Sequence, residues 1–510
     1  MKFDRRNILG QSENAAGKSF TMGEVRPQDS AGVFCCHLLL GLLITNTRKE
    51  VSMRAKRSLA LLLCAVIMLG SMMFVSAYAE NEKGEKPTEI VQYSELVSEG
   101  KESNTFAELF SIEHFSDGQG RAYSRIEIYD KNKELNSAWL LLPEGVTTVS
   151  GLPEKTNLMT ASDRENIMVS SASTMSLINA MGALDKVPMT TSDTTWRIEE
   201  IKNAIESGQV QEVGKYNVPD YEKILMIGAE KHVTFAVFST MIDYEPEVEE
   251  MLSEQCGLRI MRDQSSSEGH PLARTEWIKI YGEIFGMREQ SDAVFNEQVD
   301  ILNETLEKIG KISDADRKSV LVFYTTSSKE TYYVRNAADY VTELVNLAGG
   351  KQVSEIGAGK SGNTKMDQET FVATCSQADY VLYNWTSGAS GVSDETLQGL
   401  MDARLGDWFK DFKAYKDENV WRTSNDFYQK MDKMGEMVMD IYNMLYNDDA
   451  GDSLTYVNRL TNDKPPVEEP DEPSEIETGC GANLHGKYGL TIMLLMGAVV
   501  FVLVKRKSAR

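Results

Sequence analysis

The chain has 510 residues, a formal net charge of −24 and a sequence pI of about 4.8. That length accommodates two or three domains with proper cores, and the excess of carboxylates excludes nucleic acid as an expected partner because no basic face offsets it. Six cysteines (Cys35, Cys36, Cys64, Cys256, Cys375, Cys480) form no CxxC or metal-like spacing, and the five histidines (His37, His114, His232, His270, His485) are too thin a supply for a bare metal centre.

In chain order, residues 1–52 read as an upstream or disordered segment ahead of a true start at Met53. Residues 53–79 have the anatomy of a signal peptide: Arg54, Lys56 and Arg57, an apolar centre over 59–74, and Ala77-Tyr78-Ala79 as a small-x-small cleavage site. Residues 80–150 read as a linker and a small antiparallel β extension, with strand-like runs at 110–115, 124–129 and 138–142 between turn residues such as Asp117-Gly118 and Pro143-Glu144-Gly145.

From 163 to 287 short strands and amphipathic helices alternate. The strand 167–169 leads through Ser170-Ser171-Ala172-Ser173-Thr174 into a helix carrying Leu177, Ile178, Met181 and Leu184. This is an N-cap arrangement, whose free N–H groups attract anions or carbonyls. Pro219 opens a helix over 221–229 ahead of a strand at 233–238; another strand follows at 258–261, then a loop at 265–271 and a helix over 272–285.

Residues 288–310 are the centre of the arrangement. Phe295, Val299, Leu302, Leu306 and Ile309 recur at alternating steps of four and three, which puts them on one helical stripe with Glu297, Asp300, Glu304 and Lys308 off it. At 1.5 Å per residue this helix is roughly 33 Å long, a strut between two halves. Over 316–446 the alternation returns: strand 320–324, helix 337–347, helix 368–375 into strand 380–383, and a closing helix over 431–445. The expected fold class is α/β, two Rossmann-like lobes joined by a single long helix, with a cleft between them. A Pro/Glu-rich linker (461–480) then leads to the uncharged run 488–504, closed by Lys505-Arg506-Lys507. That is the short limit for a transmembrane anchor, with the basic tail inside.

Four stretches carry a family resemblance. Ser170-Ser171-Ala172-Ser173-Thr174 running on to Met181-Gly182-Ala183-Leu184-Asp185-Lys186-Val187 is one; Asp220-Tyr221-Glu222-Lys223-Ile224-Leu225 is the second. Glu276-Trp277-Ile278-Lys279-Ile280-Tyr281-Gly282-Glu283-Ile284-Phe285-Gly286 is the third, and Asp367-Gln368-Glu369-Thr370-Phe371 followed by Ala378-Asp379-Tyr380-Val381-Leu382 the fourth. In order and spacing they resemble the solute-binding proteins of ATP-binding-cassette (ABC) importers, in the class for iron-siderophore, haem or cobalamin. One departure is Ala229-Glu230-Lys231-His232-Val233, where the family usually has "KPDLV".

The resemblance implies a non-catalytic, monomeric capture protein on the outer face of the membrane, to which the 488–504 run of the chain itself adds a C-terminal tether. It would hold no resident cofactor, only a small-molecule solute such as an iron complex or a corrinoid, and would pass it to an importer permease. Glu222 and Glu369 sit at matching places in the two halves, where the family docks one carboxylate per lobe onto permease arginines. Ligand contacts are expected from Ser171, Trp196, Arg262, His270, Tyr332, Arg335, Trp385, Trp421 and Arg422, since aromatics with a few arginines suit a large flat or anionic ligand. His270 is the candidate axial imidazole, with helix capping as its plainer role. An enzyme is not expected: no GxSxG, HExxH, P-loop or GxGxxG motif stands in a strand-helix setting. The alternative is a surface adhesin or sensor ectodomain of the same two-lobe shape.

Overall fold

The computed structural model describes residues 91–192, 196–325, 331–384 and 396–462. The expected signal peptide, the Pro/Glu-rich linker beyond Asn462 and the 488–504 run lie outside these residues. Among the described residues no helix is long and apolar enough to cross a membrane.

The N-terminal extension is a five-stranded sheet in the order Val97–Lys101, Phe110–Ser116, Ala122–Tyr129, Leu135–Leu141, Thr156–Met159. Its first four strands are antiparallel, but Thr156–Met159 runs parallel to Leu135–Leu141, so the sheet is mixed rather than antiparallel. Period-two alternation gives it two apolar faces. Phe110, Ile112, Ile126, Ile128 and Trp139 join the main core, while Phe115, Tyr123, Leu140 and Leu142 pack with Val91, Val146 and Val149 in a smaller one.

The first lobe is an all-parallel sheet in the order Gln211–Glu212, Met189–Thr190, Met168–Val169, Phe235–Ser239, Arg259–Asp263. Its central strands, Met168–Val169 and Phe235–Ser239, are apolar at nearly every position because both faces are covered. Phe235 and Val237 face a cluster with Met175, Leu177 and Ile201, while Ala236 and Phe238 face one with Ile224, Ile227, Val248 and Leu252. The expected 272–285 helix is in fact two pieces, Pro271–Glu276 and Ile278–Phe285, meeting at Trp277.

The second lobe carries the order Asn363–Met366, Tyr332–Arg335, Ser319–Thr325, Tyr380–Tyr383, Val420–Thr423, Val457–Arg459, with Lys351–Gln352 also pairing Ser319–Thr325. The central three strands are parallel, and both outer edges are antiparallel.

The strut is the 22-residue helix Arg288–Ile309. Its inward seam is rotated from the expected stripe: Ser291, Phe295, Gln298, Leu302 and Thr305 are buried, whereas Leu306 is 40% exposed. Close approach decides this. A Cβ on Gly282 would lie 2.1 Å from Ser291 Oγ, and one on Gly435 would lie 2.2 Å from the Gln298 carbonyl oxygen. Two glycines on neighbouring helices thus draw the small and polar face inward. The buried polar atoms are satisfied: Ser291 and Thr305 hydroxyls donate to the Arg288 and Ile301 carbonyls, both at 2.9 Å. Gln298 exchanges two 3.2 Å hydrogen bonds with Glu436, one to its backbone N–H and one to its carboxylate.

The strut is not the sole tie between the lobes. After Val420–Thr423 the chain returns to the first lobe: the Met431 N–H donates to Ser176 Oγ at 3.2 Å, and the Thr275 hydroxyl donates to the Met431 carbonyl at 2.7 Å. Helix Met434–Tyr446 then runs against the strut at Gly435. One continuous apolar core therefore includes Val169 and Leu177 of the first lobe, Phe295 and Leu302 of the strut, and Val322, Leu344 and Trp421 of the second.

Candidate functional site

In a parallel sheet the chain leaves each strand at its C-terminal end, and ligand-binding loops gather there. On the first lobe these ends are Ser170-Ser171, Thr191 and Gln264. Ser171 caps helix Ala172–Ala180, accepting from Thr174 N–H at 3.4 Å, and its hydroxyl lies 2.7 Å from that of Ser173. The Thr191 hydroxyl donates to Ser170 Oγ at 2.6 Å. Beneath them Asp263 accepts from the hydroxyls of Thr174 at 2.8 Å and Tyr281 at 2.5 Å, while its other oxygen takes the Ser265 N–H at 2.7 Å. Complete burial pushes the Tyr281 hydroxyl well above its ordinary range. This network makes the Ser171 end a stiff floor, with the serine hydroxyls spent on capping.

On the second lobe Arg335 is the best placed of the expected contacts. Its guanidinium donates to Asn384 Oδ1 through Nε at 3.1 Å and Nη2 at 2.5 Å, and approaches Asp339 at 3.4 Å. It also lies 5.1 Å from the ring centroid of Tyr324, which stacks on Tyr333 at 5.0 Å. Tyr324, Tyr333 and Arg335 form a half-buried aromatic and cationic platform on one face of the Ser319–Thr325 and Tyr332–Arg335 ladder.

Other expected contacts are placed differently. Tyr332 points to the opposite face of its strand, is fully buried, and stacks on Phe371 at 4.5 Å, so it is a core residue. Trp421 and Trp196 are likewise buried in the main core. Period-two geometry explains Tyr332: adjacent strand residues point oppositely, so only one of Tyr332 and Tyr333 can face the platform. Arg262 is held by Asp243 at 2.7 Å and by Glu249; burial works against its charge, but these two carboxylates hold it up, and the guanidinium is spent within its own lobe. His270 is a cap, its Nδ1 accepting from Leu272 N–H at 3.1 Å while its ring stacks on Phe106 at 4.3 Å. Burial pushes its pKa down, which favours the neutral imidazole that capping requires. Arg422 donates to Asn425 at 2.9 Å. Trp385 lies outside the described residues.

Glu222 and Glu369 are both exposed, and their settings match closely. Each is the second residue of its helix, Tyr221–Lys231 and Gln368–Cys375, directly after an aspartate N-cap. Asp220 accepts from Lys223 N–H at 3.0 Å and Asp367 from Thr370 N–H at 2.8 Å. Around Glu222, Val218, Leu225 and Met226 are 68%, 45% and 59% exposed.

Two features escaped the sequence reading. Arg274 of the first lobe lies 4.0 Å over the ring of Tyr340 of the second, a cation–π contact across the junction. Buried Glu276 and Glu268 hold the N-terminal extension: Glu276 accepts the N–H groups of Thr105, Phe106 and Ala107 at 2.7, 2.7 and 2.8 Å, and Glu268 accepts those of Glu108 and Leu109. The partners are some 160 residues apart in the chain, so no local pattern signals them.

A third cluster, Glu102, His114 and Glu283, brings metal-ligating atoms within 4.8 Å of one another. Arg288 already pairs with both carboxylates, and His114 Nε2 lies 2.7 Å from Glu102. The cluster is therefore closed by its own cation.

Residues 247–426 match the family described as periplasmic binding protein. An uncharacterized lipoprotein of Methanocaldococcus jannaschii is 23% identical over 254 residues, 49% of this chain and 56% of the relative, so the chain spans a little over half of that protein. Among solved structures, a periplasmic binding protein from Veillonella parvula is similar at 18% identity and a TM-score of 0.45, over 55% of this chain and 90% of its own. A periplasmic heme binding protein from Pseudomonas aeruginosa is similar at 14% identity and a TM-score of 0.45, over 58% and 98%. An ABC transporter substrate-binding protein from Listeria monocytogenes is similar at 16% and 0.43, over 56% and 99%.

Proposed function

From the premise that residues 247–426 match the periplasmic binding protein family, we propose that this chain is a non-catalytic capture protein for an ABC importer, tethered outside the membrane by its C-terminal run. It takes a solute between its two lobes and presents it to a permease. The solute is an iron complex, haem or a corrinoid, read by the Tyr324–Tyr333–Arg335 platform, where a flat or anionic group finds a stacking face and a guanidinium.

The observation that carries this reading is the pair Glu222 and Glu369. Each lobe offers one exposed carboxylate at the second position of a helix, after the same kind of cap. Two such groups fix the orientation of an arginine-bearing partner, and the apolar rim at Val218, Leu225 and Met226 would exclude water around the first of them.

The test is the double variant Glu222→Ala plus Glu369→Ala. Ligand affinity, followed by thermal shift and absorbance against ferric siderophores, haem and cobalamin, is expected to be unchanged. Solute uptake in cells is expected to collapse. Intact uptake refutes the docking assignment; absence of binding across the panel refutes the solute class.

A further inference from the structure

Residues 427–433 are where the second half of the chain sits on the first. Besides the two bonds at Met431, the Arg197 N–H donates to Gln429 Oε1 at 2.9 Å, and Gln429 is fully buried. The next residue but two, Asp432, is only 7% exposed, and its Oδ1 has no hydrogen-bond donor. A buried carboxylate oxygen without a donor is uncommon and costly when ionised.

The charged groups around it relieve it only in part, and burial outweighs them. Lys433 favours the charged form of Asp432, but it also lies 2.9 Å from Glu436 Oε1 and shares its charge with that carboxylate, with Glu297 of the strut adding to that pull. Lys430 favours the charged form of Asp432, and Glu436 opposes it. The Tyr456 hydroxyl donates to Glu436 at 2.9 Å rather than to Asp432. On the first lobe, helix Ala172–Ala180 carries no charged residue. In helix Pro271–Glu276, Arg274 is bound to the Ser266 carbonyl at 2.8 Å and Glu276 to the 105–107 amides.

We propose that residues 427–433 form a proton-operated fastener between the lobes: with Asp432 protonated the segment stays seated on the first lobe, and with Asp432 ionised it unseats. Unseating gives the carboxylate water that the seated state denies it. Burial pushes the seated carboxyl up from an ordinary 3.8 to about 6. The sign follows: seating is strongest below the ordinary value, weakens as pH rises through about 6, and is level above it. The equilibrium moves by roughly a hundredfold across that window. The inference concerns the lobe contact itself and stands or falls without any ligand.

The experiment is amide hydrogen exchange of the full chain between pH 4 and 8, with protection corrected for the intrinsic rate. Protection at Met431 and Lys433 is expected to fall about a hundredfold with rising pH, while strand Phe235–Ser239 holds steady. Asp432→Asn should remove the dependence and keep the segment protected throughout. Ser176→Ala, which deletes an acceptor of the seat, should lower protection by the same factor at every pH. The proposal is overturned if the wild-type profile is flat, if Asp432→Asn keeps the wild-type profile, if Phe235–Ser239 loses protection in parallel, or if Ser176→Ala changes nothing.

Discussion

Replacing Glu276 by Ala should be among the most damaging single changes in this molecule. The side chain is fully buried, and its carboxylate accepts three consecutive backbone N–H groups at 2.7–2.8 Å and the Lys279 ammonium at 2.9 Å. Hydrogen bonds to a charged group contribute ~1.5–3 kcal/mol each, and removing one partner of a buried charged set costs ~3–5 kcal/mol because the others are left without compensation. The three amides cannot turn elsewhere, since residues 105–109 are pinned again by Glu268, so water must enter or the loop must lift. We expect a loss of ~4 kcal/mol, read as a lowered midpoint in urea denaturation of residues 80–462 with an unchanged slope. Hydrogen exchange should accelerate at 105–109 first. A loss below ~1 kcal/mol, typical of an ordinary surface change, would refute the idea that this glutamate anchors the extension.

Three further outcomes test the packing and the charges. Leu302→Ala should cost ~2–5 kcal/mol and Leu306→Ala under ~0.5 kcal/mol, because only the first lies in the strut's seam; equal costs in urea denaturation would restore the stripe read from sequence. Gly435→Ala should cost ~1–3 kcal/mol, since its Cβ would meet the Gln298 backbone at 2.2 Å, and a neutral result would show that the two helices can separate. Burial would raise the Asp117 carboxyl, but the Arg121 amide and guanidinium, the Tyr123 hydroxyl and the Gln119 amide outweigh it and hold it at about 2. Its stabilisation is present above the ordinary carboxylate value and is lost as pH falls through about 2. The gap in melting temperature between wild type and Asp117→Asn should therefore narrow from pH 5 to pH 2.5; a constant gap contradicts this.

The elements themselves were largely legible. Helices 288–309 and 368–375 and strand 380–383 occupy the residues that periodicity assigns them, because a helical or extended pattern and its capping residues act within a few positions of the chain. The cap at Ser171 is local for the same reason. The tertiary structure alone decided which face of each element turns inward. Gly282 and Gly435 select the polar seam of the strut by letting two other helices come close, and neither glycine lies within the strut. Tyr332 and Tyr333 are equivalent in a list of aromatics, yet one is core and one platform. Arg262 reads as a free cation until the fold brings Asp243 and Glu249 to it. Local propensity and periodicity are written in neighbouring residues. The meeting of Glu276 with residues 105–107, or of Asp432 with a lobe that offers it no donor, follows from burial among partners far away in the chain, and only the assembled core determines that.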